Sequence, residues 1–272
     1  MIKQDEIYDS YIRPFSLVEK LKLKCGYEKS FKLTDQHLLR NRYLLGIDKA
    51  ELDHDKLSFI CNQMGMPKKF VENFFTNISD ANLILLGFEE GDGDCTYKIY
   101  LEYWDKIRKN MKRAQPPYEP VTLFLGYKWS VFDNSQSALT NYVYYPMITV
   151  DEIIKRMCNL NTLDEDEATF EVARNIITHS AKRVNNRPFI YLEASEGNNP
   201  RKSFDINLYR AGINLRNIYP FLKQLCRHYS VRIDELDKLY SRVDSRVLGH
   251  LSGGIDRDGK GFLTVYYETE AA

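Results

Sequence analysis

The sequence predicts an α/β fold in which ten antiparallel strands, arranged as hairpins, close into one barrel with α-helices outside it. Three observations lead to this prediction: a strand with two chemically different faces, the recurring order of hairpin then helix, and a surplus of tyrosine, with 19 Tyr against 14 Phe and 2 Trp. Tyrosine combines apolar area with a hydroxyl group, so this surplus suits a wet cavity or an interface. We expect residues 1–272 to form one domain, because closed barrels often reach this size undivided.

The strand with two different faces is residues 95–105, CTYKIYLEYWD. Strict alternation places Tyr, Ile and Leu on one face, and a period of two is the mark of a strand. The other face carries Lys98, Tyr100, Glu102 and Trp104. Two interpretations are open: an antiparallel strand with one face in water, or a barrel strand whose polar face lines an internal chamber. The rest of the chain favours the chamber.

Hairpins and helices alternate after an amphipathic helix within residues 1–24. Turns rich in Gly, Asn and Asp supply the positive φ angles that hairpins need. The expected strands are residues 27–33, 38–47, 82–89, 96–104, 121–130, 141–146, 188–195, 202–209, 247–255 and 261–268. The expected later helices are residues 52–65, 68–77, 105–113, 149–159, 214–228 and 233–243. Closing such a sheet removes its edges, and a barrel of ten strands has room for a ligand.

Charge and composition exclude several classes of partner. The 38 basic and 38 acidic residues balance, which argues against a nucleic-acid partner because nucleic-acid binders carry a basic excess. No apolar run is long enough for a signal peptide or a membrane span, so we expect no membrane partner. The five cysteines lie far apart in the sequence, which is typical of reduced thiols and predicts a cytoplasmic protein.

The polar rows of several strands contain amines and phenols that would point into the chamber. Beyond the 95–105 strand, the expected inward residues are Lys128, Thr140, Tyr142, Tyr144, Asp205, Asn207, Tyr209, Thr264 and Tyr266, although the inward row of the sixth strand is ambiguous. Each residue alone would be interpreted as a half-exposed polar group. His250 has two interpretations, a residue that faces the chamber or a structural residue, and we expect the structural role. Together they suit a multiply charged anion beside an apolar group, because Lys and Arg neutralise phosphate charge and tyrosine rings shelter a carbocation.

With these features the chain resembles the aromatic prenyltransferases of the ABBA (PT-barrel) fold, most closely those that prenylate cyanobactin peptides, which are ribosomally made and modified (RiPP) natural products. The resemblance is carried by NRYLLGIDK (41–49), LILLGFEEGDGDCTYKIYLEY (83–103), NNRPFIYLEAS (185–195) and FLTVYYE (262–268). These segments are spread over nearly the whole chain, and their evidence is strand order plus short Lys-x-Tyr signatures.

The resemblance implies a site for a prenyl diphosphate built from an early basic residue and from Lys-x-Tyr or Gln-x-Tyr pairs on later strands. The matching residues are Arg42, Lys98, Tyr100, Asn207, Tyr209 and Tyr266. The sixth strand brings Tyr142 and Tyr144 but no cation, so Lys128 or Lys202 is expected to supply the charge.

The resemblance also implies that Glu28 is the catalytic base. A raised pKa in an aromatic pocket would let its carboxylate take the proton from an acceptor phenol, indole or guanidine. Glutamates are mostly exposed, so a surface role for Glu28 is the alternative.

The implied function is the transfer of a dimethylallyl (C5) or longer prenyl group from its diphosphate to a side chain of a cyclic peptide or to a small aromatic acceptor. Mg²⁺ is compatible with a diphosphate, but the sequence has no Asp-Asp-x-x-Asp pattern, so magnesium dependence stays open. Two alternatives remain: a non-catalytic barrel that binds a hydrophobic or isoprenoid ligand, and an interaction protein with an open tyrosine-rich sheet.

Overall fold

Ten antiparallel strands close into one barrel in the computed structural model of the protein, which describes residues 14–91, 94–160, 166–185, 188–197 and 199–268. Each strand pairs with its neighbours in sequence, and β10 closes the barrel by pairing with β1, for example Tyr266 with Ser30. The strands are β1 Gly26–Thr34, β2 His37–Asp48, β3 Leu83–Glu90, β4 Cys95–Glu102, β5 Val121–Ser130, β6 Ser137–Tyr144, β7 Ile190–Glu196, β8 Lys202–Asn207, β9 Leu248–Ile255 and β10 Gly261–Glu268. The predicted closed barrel is confirmed.

The helices lie outside the barrel, where α1 precedes the first hairpin and the others connect successive hairpins. They are α1 Pro14–Lys20, α2 His54–Gln63, α3 Lys68–Asn77, α4 Trp104–Met111, α5 Val150–Leu160, α6 Glu167–Ala181, α7 Tyr219–His228 and α8 Ile233–Val243. Short 3-10 turns occur at Lys49–Glu51, Ile78–Asp80, Tyr209–Ala211 and Leu215–Asn217. None of the helices in the described ranges is both long enough and apolar enough to cross a membrane.

The hydrophobic core lies between the helices and the outer face of the barrel. One cluster joins α1, α2 and α3 to the outward side chains of β2–β5, and a second joins α5–α8 to β7–β10 and β1. In β4 the outward residues Tyr97, Ile99 and Leu101 are all at most 3% exposed. The predicted outer row of β4 is therefore confirmed, and its opposite row points into the barrel. All five cysteines are free.

Several predicted boundaries were wrong. Trp104 begins α4 and does not end β4, because the backbone of Tyr103 has already left the extended region (φ −114°, ψ 29°). β6 begins at Ser137 and not at residue 141, and β8 ends at Asn207, so that Tyr209 lies in a 3-10 turn. Parts of the predicted first helix, of the turn after β3 and of the acidic segment after α5 lie outside the described residues.

Candidate active site

The inside of the barrel holds a cavity of about 530 Å³ that all ten strands line. Because side chains alternate across a strand, the same period that sends apolar residues to the helices sends the polar rows inward. The cavity has two chemically distinct regions. Cations occupy its middle and the end at which the hairpin turns lie, and carboxylates with apolar walls occupy the end at which the helices connect.

Glu89 on β3 is the centre of the first group of cations. Its carboxylate forms ion pairs with Arg42 of β2 and Lys98 of β4, and the charge of Lys32 acts on it as well. Burial raises the pKa of Glu89, but these three cations outweigh burial and hold the pKa well below its ordinary value. Burial and the neighbouring Arg42 lower the pKa of Lys98 to about 8, although Glu89 acts in the opposite direction.

Glu196 at the end of β7 is the centre of a second group. Its Oε1 atom lies 3.6 Å from Lys128 Nζ, 3.6 Å from Arg201 Nε and 3.2 Å from Arg257 Nη2, and it accepts a hydrogen bond of 2.7 Å from Thr140 Oγ1. Burial raises the pKa of Glu196, but the three cations lower it to about 2. Burial and the charge of Arg201 hold the pKa of Lys128 well below its usual value.

These two groups leave a surplus of buried positive charge. Six cations meet three carboxylates at short range, since three cations surround each of Glu89 and Glu196 and Lys32 also lies 3.8 Å from Asp256 Oδ2. Asp94 and Asp258 line the cavity from the hairpin turns as well, and Asp94 accepts a hydrogen bond from the backbone N–H of Cys95. Buried charges of one sign are costly without counter-ions, so the interior favours a multiply charged anion. We call the six residues Lys32, Arg42, Lys98, Lys128, Arg201 and Arg257 the cationic cluster.

Tyrosines line the cavity beside the cationic cluster. The rings of Tyr100 and Tyr142 meet edge to face with centroids 5.8 Å apart, and Lys128 Nζ donates a hydrogen bond of 3.0 Å to the Tyr142 hydroxyl. Gly126 permits this arrangement, since a Cβ there would lie 2.8 Å from the Tyr100 ring. Tyr266 lines the cavity from β10. These rings can face a carbocation that forms next to the bound anion.

Glu28 on β1 lies at the opposite end of the cavity. The Tyr209 hydroxyl donates a hydrogen bond of 2.6 Å to Glu28 Oε1. Burial raises the pKa of Glu28, while the charge of His250 and the hydrogen bond from Tyr209 act in the opposite direction without cancelling the rise. A carboxylate with a raised pKa is a suitable general base.

His250 on β9 stands beside Glu28. Its Nδ1 atom lies 2.8 Å from Asp205 Oδ1, and its Nε2 atom lies 3.1 Å from Asn207 Nδ2. Burial lowers the pKa of His250, but the carboxylates of Asp205 and Glu28 outweigh burial and raise the pKa to about 9. His250 therefore faces the chamber, and its structural role stays a prediction.

The structure brings most of the predicted site residues to one cavity. The residues that line it are Glu28, Arg42, Lys98, Tyr100, Lys128, Tyr142, Asn207 and Tyr266. Tyr209 does not line it, but its hydroxyl donates a hydrogen bond to Glu28 and its ring contacts His250 edge to face. Tyr144 does not line it either, because its ring packs edge to face on Trp104 with centroids 5.3 Å apart. Their roles in binding and catalysis stay predictions.

Sequence reasoning missed half of the cationic cluster. Lys202 is exposed, and the neighbouring Arg201 enters the cavity instead. Arg201 precedes β8 and Arg257 lies in the turn between β9 and β10, where no strand period tells inward from outward. Lys32 could have been found, since it stands in phase with Glu28 on β1.

Gly249 makes the contact between Glu28 and Tyr209 possible. A Cβ at this position would lie 2.6 Å from Tyr209 Oη and 2.8 Å from Glu28 Oε1. We expect Gly249→Ala to displace the carboxylate and lower kcat by up to about 10²-fold, the cost of a small misplacement of a reacting group. Gly46→Ala is the matched control, because a Cβ there would meet Leu83 at 3.5 Å and Leu85 at 3.8 Å, which are ordinary van der Waals contacts. Steady-state kinetics at saturating donor would measure both variants, and equal rates for the two would contradict the expectation.

Comparisons with known proteins find relatives only among solved structures. No family model and no curated protein matches the sequence. A ternary complex of the prenyltransferase PriB with L-tryptophan and dimethylallyl thiolodiphosphate is 14% identical, with a TM-score of 0.60 over 91% of this chain and 80% of that chain. The chain has the ABBA, or PT-barrel, fold.

Two further solved structures share this PT-barrel. The 6-dimethylallyltryptophan synthase from Micromonospora olivasterospora is 13% identical, with a TM-score of 0.57 over 90% of this chain and 82% of that chain. The complex of NotF with brevianamide F and DMSPP is 12% identical, with a TM-score of 0.53 over 91% of this chain and 80% of that chain. Identities this low establish the fold alone, so the function of this barrel has to be argued from its own cavity.

The carboxylates near the cationic cluster do not fit a resident magnesium site. Glu89 and Glu196 already hold Lys and Arg side chains, and no group of three or more His, Cys, Asp or Glu within the described ranges is placed to hold a metal ion. Magnesium prefers several oxygen ligands at short range. We therefore assign no step to a metal ion.

Proposed function

We propose that the barrel is a prenyltransferase that moves a dimethylallyl group from its diphosphate to a nucleophilic side chain of a peptide or to a small aromatic acceptor. The observation that carries the proposal is the cationic cluster: six buried or half-buried cations that meet three carboxylates at short range, next to tyrosine rings in the barrel cavity. The PriB and NotF structures, which contain the donor analogue DMSPP, support it as examples of the same fold. The free cysteines fit work in the cytoplasm.

In the proposed reaction, the bond between C1 of the allyl group and the diphosphate oxygen breaks, and the diphosphate leaves with the electron pair. The cationic cluster stabilises the charge that develops on the leaving group, which is usually the largest contribution to such a step. Tyr100, Tyr142 and Tyr266 face the allyl cation. A nucleophilic atom of the acceptor then bonds to C1, and its proton passes to the carboxylate of Glu28.

A cyanobactin-type peptide is the acceptor that the sequence resemblance suggests. The cavity volume of about 530 Å³ holds a C5 diphosphate together with one side chain, but not a whole peptide. A peptide would therefore present a single side chain to the cavity and keep its backbone at the barrel mouth.

Neighbouring residues Arg201 and Lys202 test the donor site. Arg201 faces the cavity and Lys202 faces solvent, so we expect Arg201→Ala to weaken binding of dimethylallyl thiolodiphosphate at least about tenfold, the scale of a lost charge-assisted hydrogen bond. Lys202→Ala should bind like the unchanged protein. Calorimetric titration measures both variants, and repeating it in EDTA and in magnesium buffer shows whether an ion accompanies the diphosphate.

Binding of the analogue by the unchanged protein at micromolar concentration would support the donor site. Failure to bind any prenyl diphosphate would overturn the proposal. Tight binding without transfer to any tryptophan, tyrosine, histidine or arginine acceptor would favour the non-catalytic barrel instead.

A further inference from the structure

The end of the cavity opposite the cationic cluster carries a surplus of negative charge. Glu28, Glu102 and Asp205 all line this end, and His250 brings the opposite charge. His250 Nδ1 lies only 2.8 Å from Asp205 Oδ1, so the positive charge of His250 is largely neutralised by that carboxylate. Three carboxylates therefore share one imidazolium.

Glu28 and Glu102 have no ion-pair partner among the Lys and Arg residues that the structure describes. Glu28 accepts a hydrogen bond from Tyr209, and Glu102 accepts one of 2.8 Å from Asn82 Nδ2. Arg108 lowers the pKa of Glu102 from a distance, but its ion pair, of 3.8 Å, is with Asp105. Burial outweighs these contacts and raises the pKa of both glutamates. Such groups are stabilised by a cation that supplies N–H donors.

The walls between these carboxylates are apolar and aromatic. They are formed by Leu44, Leu85, Trp104, Phe124, Ile190 and Leu192. A strongly hydrated ammonium group gains little from such walls, whereas a planar guanidinium is more weakly hydrated and stacks on aromatic faces. Its five N–H donors lie in one plane and can reach carboxylates on two sides.

Thr264 gives an independent sign that a polar ligand group belongs in the cavity. Its side chain lines the cavity from β10 and is 1% exposed, and its Oγ1 atom has no hydrogen-bond partner among the described residues. Thr264 pairs with Ser252 on one side and with Lys32 of the cationic cluster on the other, so the hydroxyl lies between the two ends of the cavity. Buried hydroxyl groups are normally satisfied, and a polar group of a bound ligand would satisfy this one.

We propose that the acceptor is a cation, with a planar guanidinium, as in an arginine side chain, lying between Glu28 and Glu102. The inference rests on the proposed prenyl transfer and names the acceptor that this site takes. Glu102 holds the guanidinium, and Glu28 takes one proton from the reacting nitrogen. After the C1–O bond has broken and the diphosphate has left with the electron pair, the nitrogen lone pair forms the N–C bond to C1 of the allyl cation.

The test uses the full chain, dimethylallyl diphosphate and four short peptides that differ at one position, which holds arginine, citrulline, lysine or tryptophan. Citrulline keeps the shape of arginine but has no charge. We expect mass spectrometry to show one added prenyl group on the arginine peptide, with kcat/KM at least about tenfold above that of the citrulline peptide. Glu102→Gln should lower kcat/KM for the arginine peptide at least about tenfold, while the exposed control Glu72→Gln on α3 should not.

Calorimetry with dimethylallyl thiolodiphosphate, run on the same preparations, separates the two proposals. Equal or better transfer to the citrulline or tryptophan peptide would overturn the cationic acceptor and leave the prenyl transfer intact. Preference for the lysine peptide would overturn the proposal that the acceptor group is a guanidinium. An unaltered rate on the arginine peptide in Glu102→Gln would overturn the role of Glu102. Absence of donor binding would instead remove the proposed function itself.

Discussion

Glu28→Gln is expected to lower kcat by about 10²–10⁴-fold, the range that a positioned general base contributes. The amide keeps the size of the side chain and can still accept the hydrogen bond from Tyr209, but it cannot take a proton. Donor affinity should change little, because the cationic cluster lies at the other end of the cavity. Single-turnover transfer together with calorimetry of the donor analogue would measure both quantities.

The pH profile gives a second readout for Glu28. The groups that face it are Tyr209, His250 and Asp205, and burial leaves its pKa above the ordinary glutamate value. Only the ionised carboxylate is a base, so activity should fall as pH falls through this raised pKa. The acid limb should be missing from the residual activity of Glu28→Gln. A variant that kept both the full rate and the acid limb would show that another group takes the proton.

Lys98→Ala is expected to lower kcat/KM by about 10²-fold, the cost of losing one preorganised contact to a developing charge. Lys98 forms an ion pair with Glu89 and lines the centre of the cavity between Arg42 and the tyrosines. Its removal also leaves Glu89 with fewer cations, which weakens the attraction for a diphosphate. Exposed Lys109→Ala on α4 is the control. Full activity of Lys98→Ala in a steady-state assay would contradict a diphosphate site at this position.

Lys98 also sets the alkaline limit of donor capture. Its pKa of about 8 in the donor-free protein means that the cation is present below that pH and is lost above it. Since kcat/KM reports the free enzyme, it should fall as pH rises through about 8. Lys98→Arg keeps its charge at all such pH values, so its alkaline limb should move upward even if its maximum rate is lower.

Strand periodicity allowed much of the fold and part of the site to be predicted. Alternation in β4 and β8 identified Lys98, Tyr100, Asp205 and Asn207 as inward residues, and the structure places all four in the cavity. Alternation is a local property, since successive side chains of any strand point to opposite faces. The closed barrel followed from the recurrence of hairpins and helices along the chain.

Residues outside regular strands could not be predicted in this way. Arg201 and Arg257 enter the cavity from hairpin ends. The direction in which each of these side chains points depends on the path of the backbone where it leaves the strand. Alternation did place Trp104 on the face of Lys98, and Trp104 lines the cavity although it begins α4. Tyr144 is in phase with Tyr142, yet its ring packs on the ring of Trp104. The position of the Trp104 ring depends on where β4 ends and α4 begins.

The sequence by itself determined the ten strands, most of the helices between them and the polar rows that face inward, because these depend on neighbouring residues and on the period of the backbone. The expected helices did not include α6. Only the tertiary structure decided how the charges are divided between the two ends of the cavity. Glu89 and Glu196 lie among the cations, whereas Glu28, Glu102 and Asp205 lie at the opposite end. The physical reason is that electrostatic energy depends on distance through the barrel interior. Barrel closure brings residues far apart in sequence, such as Glu28 and Tyr209, to 2.6 Å.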